Sequence, residues 1–152
     1  NRGVITKDGA EMAKRRISRR GRGMKRVGGQ VTWLCEFDRK RAYLAERGFK
    51  QQTLRRCHIV EAGDTLRLST GGAEGVFAEV TVRRSRPIVI GIQGDGPVGQ
   101  CWADLDGKPM TKTEFESLAR ADGFENALQL VNWLDEHNKF FAALYEGQLI
   151  EW

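Results

Sequence analysis

Glycine punctuates this chain so often that long regular elements have little room. Eighteen of its 152 residues are glycine, against only three prolines. Glycine weakens the interior of helices and strands and is favoured where a chain turns. This usage therefore points to many short strands and turns rather than a helical bundle.

The segments between the glycines carry mixed periodicities. Val31 to Phe37 reads as a strand, and Asp38 is placed to cap a helix over about 39–47 that Gly48 ends. Thr53 to Val60 reads as a second strand, Ala62-Gly63-Asp64 as a turn, and Thr65 to Leu68 as a half-buried strand by its alternation. Gly71-Gly72 turns the chain into Val76–Val82, and Ile88–Ile92 precedes a glycine-rich loop over 91–99. Two helices follow, near Thr113–Arg120 with Thr113 as cap and near Glu125–His137, and a closing strand covers Gln148 to Trp152. The pattern predicts one α+β domain, a small curled sheet or barrel with peripheral helices. Short turns predict that the strands near 53–60, 64–69 and 76–84 are neighbours.

Charge divides the chain. Residues 1–30 hold ten Lys/Arg against two acidic residues, while the remainder holds fifteen against eighteen. We therefore read residues 1–29 as a basic, flexible arm, with a short helix near 9–20, and residues 30–152 as the folded domain. Arg15, Arg16, Arg19, Arg20, Arg22, Lys25 and Arg26 are the arm's expected polyanion contacts. Each can neutralise a phosphate, and the interspersed glycines let the backbone follow a strand. The arm carries no base-reading pattern, so its binding is expected to be sequence-independent. The alternative is a solubilising or protein-docking segment.

No apolar run approaches the roughly 18 residues of a membrane span, so no membrane is expected. Three widely spaced cysteines, Cys35, Cys57 and Cys101, without an apolar leader predict free thiols and a reducing, cytoplasmic setting. Cys57-His58 has no second Cys/His cluster to complete a zinc site, and no motif calls for a cofactor. Near a helix end, His137 reads as a dipole-compensating or solvated side chain. The glycine-rich loop lacks the Gly-Lys-Ser/Thr ending of a phosphate loop. Among four tryptophans that read mainly as core, Trp102 beside that loop is the one expected to stack on a base.

The densest chemistry lies in Gly48-Phe49-Lys50-Gln51-Gln52-Thr53-Leu54-Arg55-Arg56. A threonine hydroxyl needs a base to become a nucleophile, and a desolvated lysine can serve as one. An i,i+3 pair points to opposite faces of a regular strand, so Lys50 must sit on the turn and Thr53 in the strand for them to meet. Spacing alone favours a solvated basic turn leading into an edge strand.

Gly48-x-Lys50-x-x-Thr53-x-Arg55, followed by Gly63-Asp64-Thr65-Leu66-Arg67-Leu68, resembles the ASCH family. Phe115, Ala119-Arg120-Ala121-Asp122-Gly123-Phe124 and the closing Gly147 to Trp152 are also similar to segments of that family, the last to the ends of phage and bacterial members. The resemblance covers about residues 31–152 and omits the arm. It implies a PUA-like fold, a small mixed β-barrel with peripheral helices, and a link to RNA and modified nucleosides. One branch, the acetylcytidine amidohydrolases, uses a lysine, a threonine and a glutamate. Lys50 and Thr53 match the first two, and Asp122 stands near the third, a methylene shorter. The implied roles are Thr53 as nucleophile, Lys50 as base and Asp122 as its orienting partner, with Glu114 or Glu116 as alternative carboxylates. Arg55 would hold a phosphate or the polarised oxygen, and Arg56 is expected to bind substrate or nucleic acid beside it. The expected partners are RNA or DNA, single-stranded RNA favoured, or a modified nucleoside. The alternatives are a non-catalytic nucleic-acid-binding module and a ribonuclease of the same fold.

Overall fold

The computed structural model describes residues 5–7, 29–56, 59–93, 100–138 and 144–152. The basic residues from Arg15 to Arg26, the short helix expected near 9–20, Cys57-His58 and the loop over 94–99 lie outside the described residues.

Among the described residues, nine strands fall into two sheets. The first holds β1 (Ile5–Lys7), β2 (Thr32–Glu36), β4 (Thr65–Ser69) and β5 (Val76–Thr81), in the order β1-β2-β4-β5. The second holds β3 (Gln52–Arg55), β9 (Tyr145–Glu151), β6 (Arg84–Gln93), β7 (Gln100–Leu105) and β8 (Lys108–Pro109), in that order. Its ladders are all antiparallel, whereas β2 and β4 pair in parallel across a connection containing the helix α1 (Arg39–Glu46). The helices α2 (Lys112–Ala121) and α3 (Ala127–Asn138) complete the α+β architecture.

One sequence expectation is corrected here. β4 and β5 are neighbours, but β3 leaves them and pairs with β9 in the other sheet. Its hydrogen-bonding partner is therefore the far end of the chain, not the strand after the next turn. Three strands went unread. β1 and β8 have only three and two residues, and β7 follows directly on the glycine-rich stretch. β1 also places residues 5–7 of the expected arm on the edge of the first sheet, antiparallel to β2.

The alternation of each strand sorts its side chains between two cores. α2 and α3 cover one face of the second sheet, where Phe115, Leu118, Phe124, Leu130 and Leu134 pack on Ile88, Ile90, Leu54 and Leu149. Each large apolar side chain buried this way stabilises the fold by about 1.5–3 kcal/mol. The other core joins Trp33, Cys35, Leu66 and Leu68 of the first sheet, and Phe37 just after β2, to Ala42 and Ala45 of α1. Ile150 of β9 belongs to this second core while its neighbour Leu149 belongs to the first. The register aligns Ile150 with Thr53 and Leu149 with Leu54. Thr53 therefore shares a face with Ile150, towards the first sheet.

Local signals place the remaining pieces. Asp38 caps α1 as expected, its carboxylate accepting from Arg41 N at 2.9 Å. For α2 the cap is Thr111, not Thr113: Thr111 Oγ1 accepts from Glu114 N at 3.1 Å while Glu114 Oε1 accepts from Thr111 N at 2.9 Å. Thr113 also has a glutamate three residues on, but that Glu116 accepts from Ala127 N at 3.0 Å, at the start of α3. The buried Asp64 carboxylate accepts from Val31 N, Trp33 Nε1 and Glu61 N at 2.9–3.2 Å, which satisfies a charge that would otherwise be costly to bury. The Gly63–Leu68 stretch is thus tied to β2.

Candidate functional site

The side chains expected to act as base, nucleophile and orienting partner, together with Arg55, are buried rather than solvated. Lys50, Thr53, Arg55 and Asp122 are 1%, 3%, 4% and 5% exposed. The turn that begins the segment explains how a lysine gets inside. Gly48 sits at φ +76°, a left-handed conformation that suits glycine, and Phe49 N and Lys50 N both donate to Leu44 O at the end of α1. The chain then enters β3 with Phe49 outside, 73% exposed, and Lys50 inside.

Asp122 arrives from the other end of the sequence as the C-cap of α2, followed by Gly123 at φ +97°. Lys50 Nζ donates to Asp122 Oδ1 at 2.6 Å and to the Asp122 backbone O at 3.0 Å. Gln52 Nε2 donates to Leu118 O at 3.1 Å, so β3 grips the end of α2 at a second point. The Phe37 ring is also near the lysine, its centroid 5.6 Å from Nζ.

A second pair sits beside the first. Arg55 Nε donates to Thr53 Oγ1 at 3.1 Å, and Arg55 Nη2 donates to Glu36 O at 2.8 Å. Its guanidinium carbon is 5.0 Å from the same Phe37 centroid. The Phe37 ring is thus close to both basic side chains, and Cys35 interacts with Arg55, Lys50 and Asp122. Gly147 lets the strands approach closely here: a Cβ on it would fall 2.2 Å from Arg55 O.

Burial pushes the Lys50 amine below the usual lysine range, although the Asp122 carboxylate pulls the other way; Arg55 and Arg41 add to the depression. For Cys35, burial pushes the thiol up, opposed by Arg55 and Lys50. The cluster thus sets the buried Lys50 amine between the Asp122 carboxylate, which favours its protonation, and Arg55, which opposes it. Among the described residues no hydrogen bond joins Lys50 to Thr53. Arg55 donates to the threonine oxygen, so the Thr53 hydroxyl keeps its own proton as a donor.

The other expected site residues lie elsewhere. Arg56 is 5.9 Å over the Tyr145 ring. Trp102 is aligned with Gly91 across β6 and β7 and packs on it so closely that a Cβ there would lie 2.5 Å from the indole. It stands three strands from β3, roughly 14 Å at ordinary strand spacing. The alternative carboxylates Glu114 and Glu116 are engaged at the starts of α2 and α3. His137 is stacked on Trp133 at 4.1 Å, and its Nδ1 contacts Trp133 O at 2.8 Å. Sequence reasoning missed Cys35 and Phe37. The signal was available in the alternation of β2, which sends Trp33, Cys35 and Phe37 to one core.

Among the described residues no cluster of His, Cys, Asp and Glu is placed to hold a metal ion, and no helix is long and apolar enough to cross a membrane. Comparison with protein-family models, with curated proteins and with solved structures finds no match.

Proposed function

We propose that this chain is a nucleobase- or RNA-directed domain of ASCH type, with a PUA-like fold, that hydrolyses an acyl amide on a modified nucleoside. The observation that carries this reading is the buried Lys50–Asp122 pair, at 2.6 Å, beside the Thr53–Arg55 pair. Thr53 Oγ would attack the acyl carbon while its proton passes to a neutral Lys50 amine. The oxyanion would gather its charge near the cationic Arg55. The C–N bond then breaks, and Lys50 returns the proton to the departing amine. Water repeats the sequence on the Thr53 ester and releases the carboxylic acid. The depressed basicity of Lys50 supports its role as base, since only the unprotonated amine can accept a proton.

The test is incubation of the purified protein with acylated cytidines. Free carboxylic acid should be released, and Lys50→Ala and Thr53→Ala should each lower the rate on the order of 10²-fold or more. Wild-type protein that releases no acid from any acylated nucleoside yet binds single-stranded RNA would favour a second reading, a non-catalytic nucleic-acid-binding module. The uneven charge specifically supports that reading: residues 1–30 carry ten Lys/Arg against two acidic residues.

A further inference from the structure

The outward face of α1 and the turn after it expose rings and cations that the core does not use. Phe49 is 73% exposed and Tyr43 is 52% exposed. A large apolar ring left in water forgoes about 1.5–3 kcal/mol of burial. Arg39 and Lys40 are exposed in the first turn of α1, which contains no acidic residue. Cations there face the positive end of the helix dipole and cost about 0.3–1 kcal/mol each. Arg47, also exposed, lays its guanidinium 3.6 Å over the Tyr43 ring. At 100° per residue, positions 39, 40, 43 and 47 fall within about one third of the helix circumference. Glu46 is the one acidic residue of the helix.

We infer that this face is a stacking platform for single-stranded nucleic acid, with Tyr43 and Phe49 receiving bases and Arg39, Lys40 and Arg47 receiving the backbone phosphates. The inference rests on the nucleic-acid-directed reading above and names the surface that would deliver a strand to the cluster. Exposed rings interleaved with cations have the two elements such binding needs, a π-face for any base and charge for the backbone. Charge complementarity selects this occupant over an apolar protein surface, against which three cations and one glutamate would be costly to desolvate. Phe49 immediately precedes Lys50, so a base stacked on Phe49 is one residue from the lysine that enters the buried cluster.

The experiment measures the affinity of the full chain for an oligouridylate across a salt series, with photocrosslinking through 5-iodouridine. Tyr43→Leu and Phe49→Leu keep apolar bulk but remove the ring. Each should weaken binding on the order of tenfold, while the slope of log affinity against log salt is kept. Arg39→Gln with Lys40→Gln should flatten that slope. Crosslinks at Tyr43 or Phe49 support the platform. Wild-type binding that is unchanged in both leucine variants, with crosslinks only elsewhere, overturns it and leaves the functional reading standing. Loss of self-association in Phe49→Leu with unchanged RNA affinity also overturns it. Failure of the wild-type chain to bind the oligonucleotide sinks the platform. Hydrolysis of a free acylated nucleoside, measured alongside, then decides whether the functional reading falls with it.

Discussion

Replacing Lys50 with methionine should lower the free energy of unfolding by about 3–5 kcal/mol, because it leaves a buried carboxylate without its cation. Asp122 is 5% exposed and its Oδ1 is 2.6 Å from Lys50 Nζ. Asp122→Leu alone should also destabilise, since the amine then loses its charged partner and keeps only the backbone carbonyl of position 122. The double variant should recover most of the stability, as apolar side chains of similar volume often replace a buried ion pair at little cost. Denaturant unfolding of the four proteins gives the coupling directly. Strictly additive effects would mean that the two residues do not act as a pair. The pair also predicts a pH effect on stability. With the Lys50 pKa lower in the folded than in the unfolded chain, the unfolded chain binds more protons between the two values. Lys50 therefore makes the fold more stable as pH rises from its folded pKa towards the ordinary lysine value of about 10.4.

Neutralising the arm should change polyanion affinity by orders of magnitude. Converting Lys14, Arg15, Arg16, Arg19, Arg20, Arg22, Lys25 and Arg26 to glutamine removes all of the arm's excess positive charge, and the remainder of the chain has more acidic than basic residues. For a single strand, every phosphate that the arm no longer neutralises should flatten the slope of log affinity against log salt by about 0.7. Substitution is a better test than deletion of residues 1–29, because deletion also removes β1 and bares the edge of β2. Salt titrations of single-stranded RNA and duplex DNA measure the effect. Equal affinities and slopes in the two proteins would make the arm a bystander or a protein-docking segment.

What could be read from the sequence was what local physics writes into it. Asp38 and Gly48 bracket α1 because a cap and a left-handed glycine act within a turn of their own position. The alternation of Thr65 to Leu68 and the run Val76 to Val82 announced two strands that pair across a short connection. The pairing of β3 with β9 was not legible, since its register joins Gln52 to Glu151 and nothing near either residue records it. The same distance hid the Lys50–Asp122 contact from spacing arguments, and only the family resemblance drew attention to it. Polar composition around Lys50 argued for a solvated turn. The bonds of Phe49 N and Lys50 N to Leu44 O instead turn the lysine inward, where Asp122 receives it.

In the proposed function Lys50, held by Asp122 and depressed in basicity, serves as the base for acyl-amide hydrolysis at Thr53. The most direct measurement is the pH dependence of hydrolysis of an acylated cytidine by wild-type protein and Asp122→Asn. The wild-type rate should rise with pH through one ionisation below the ordinary lysine value of about 10.4. In Asp122→Asn the carboxylate no longer holds the proton on Lys50, so the rising limb should move to lower pH while the plateau falls. A rising limb unmoved in Asp122→Asn would contradict the account, as would Lys50→Ala retaining the wild-type profile.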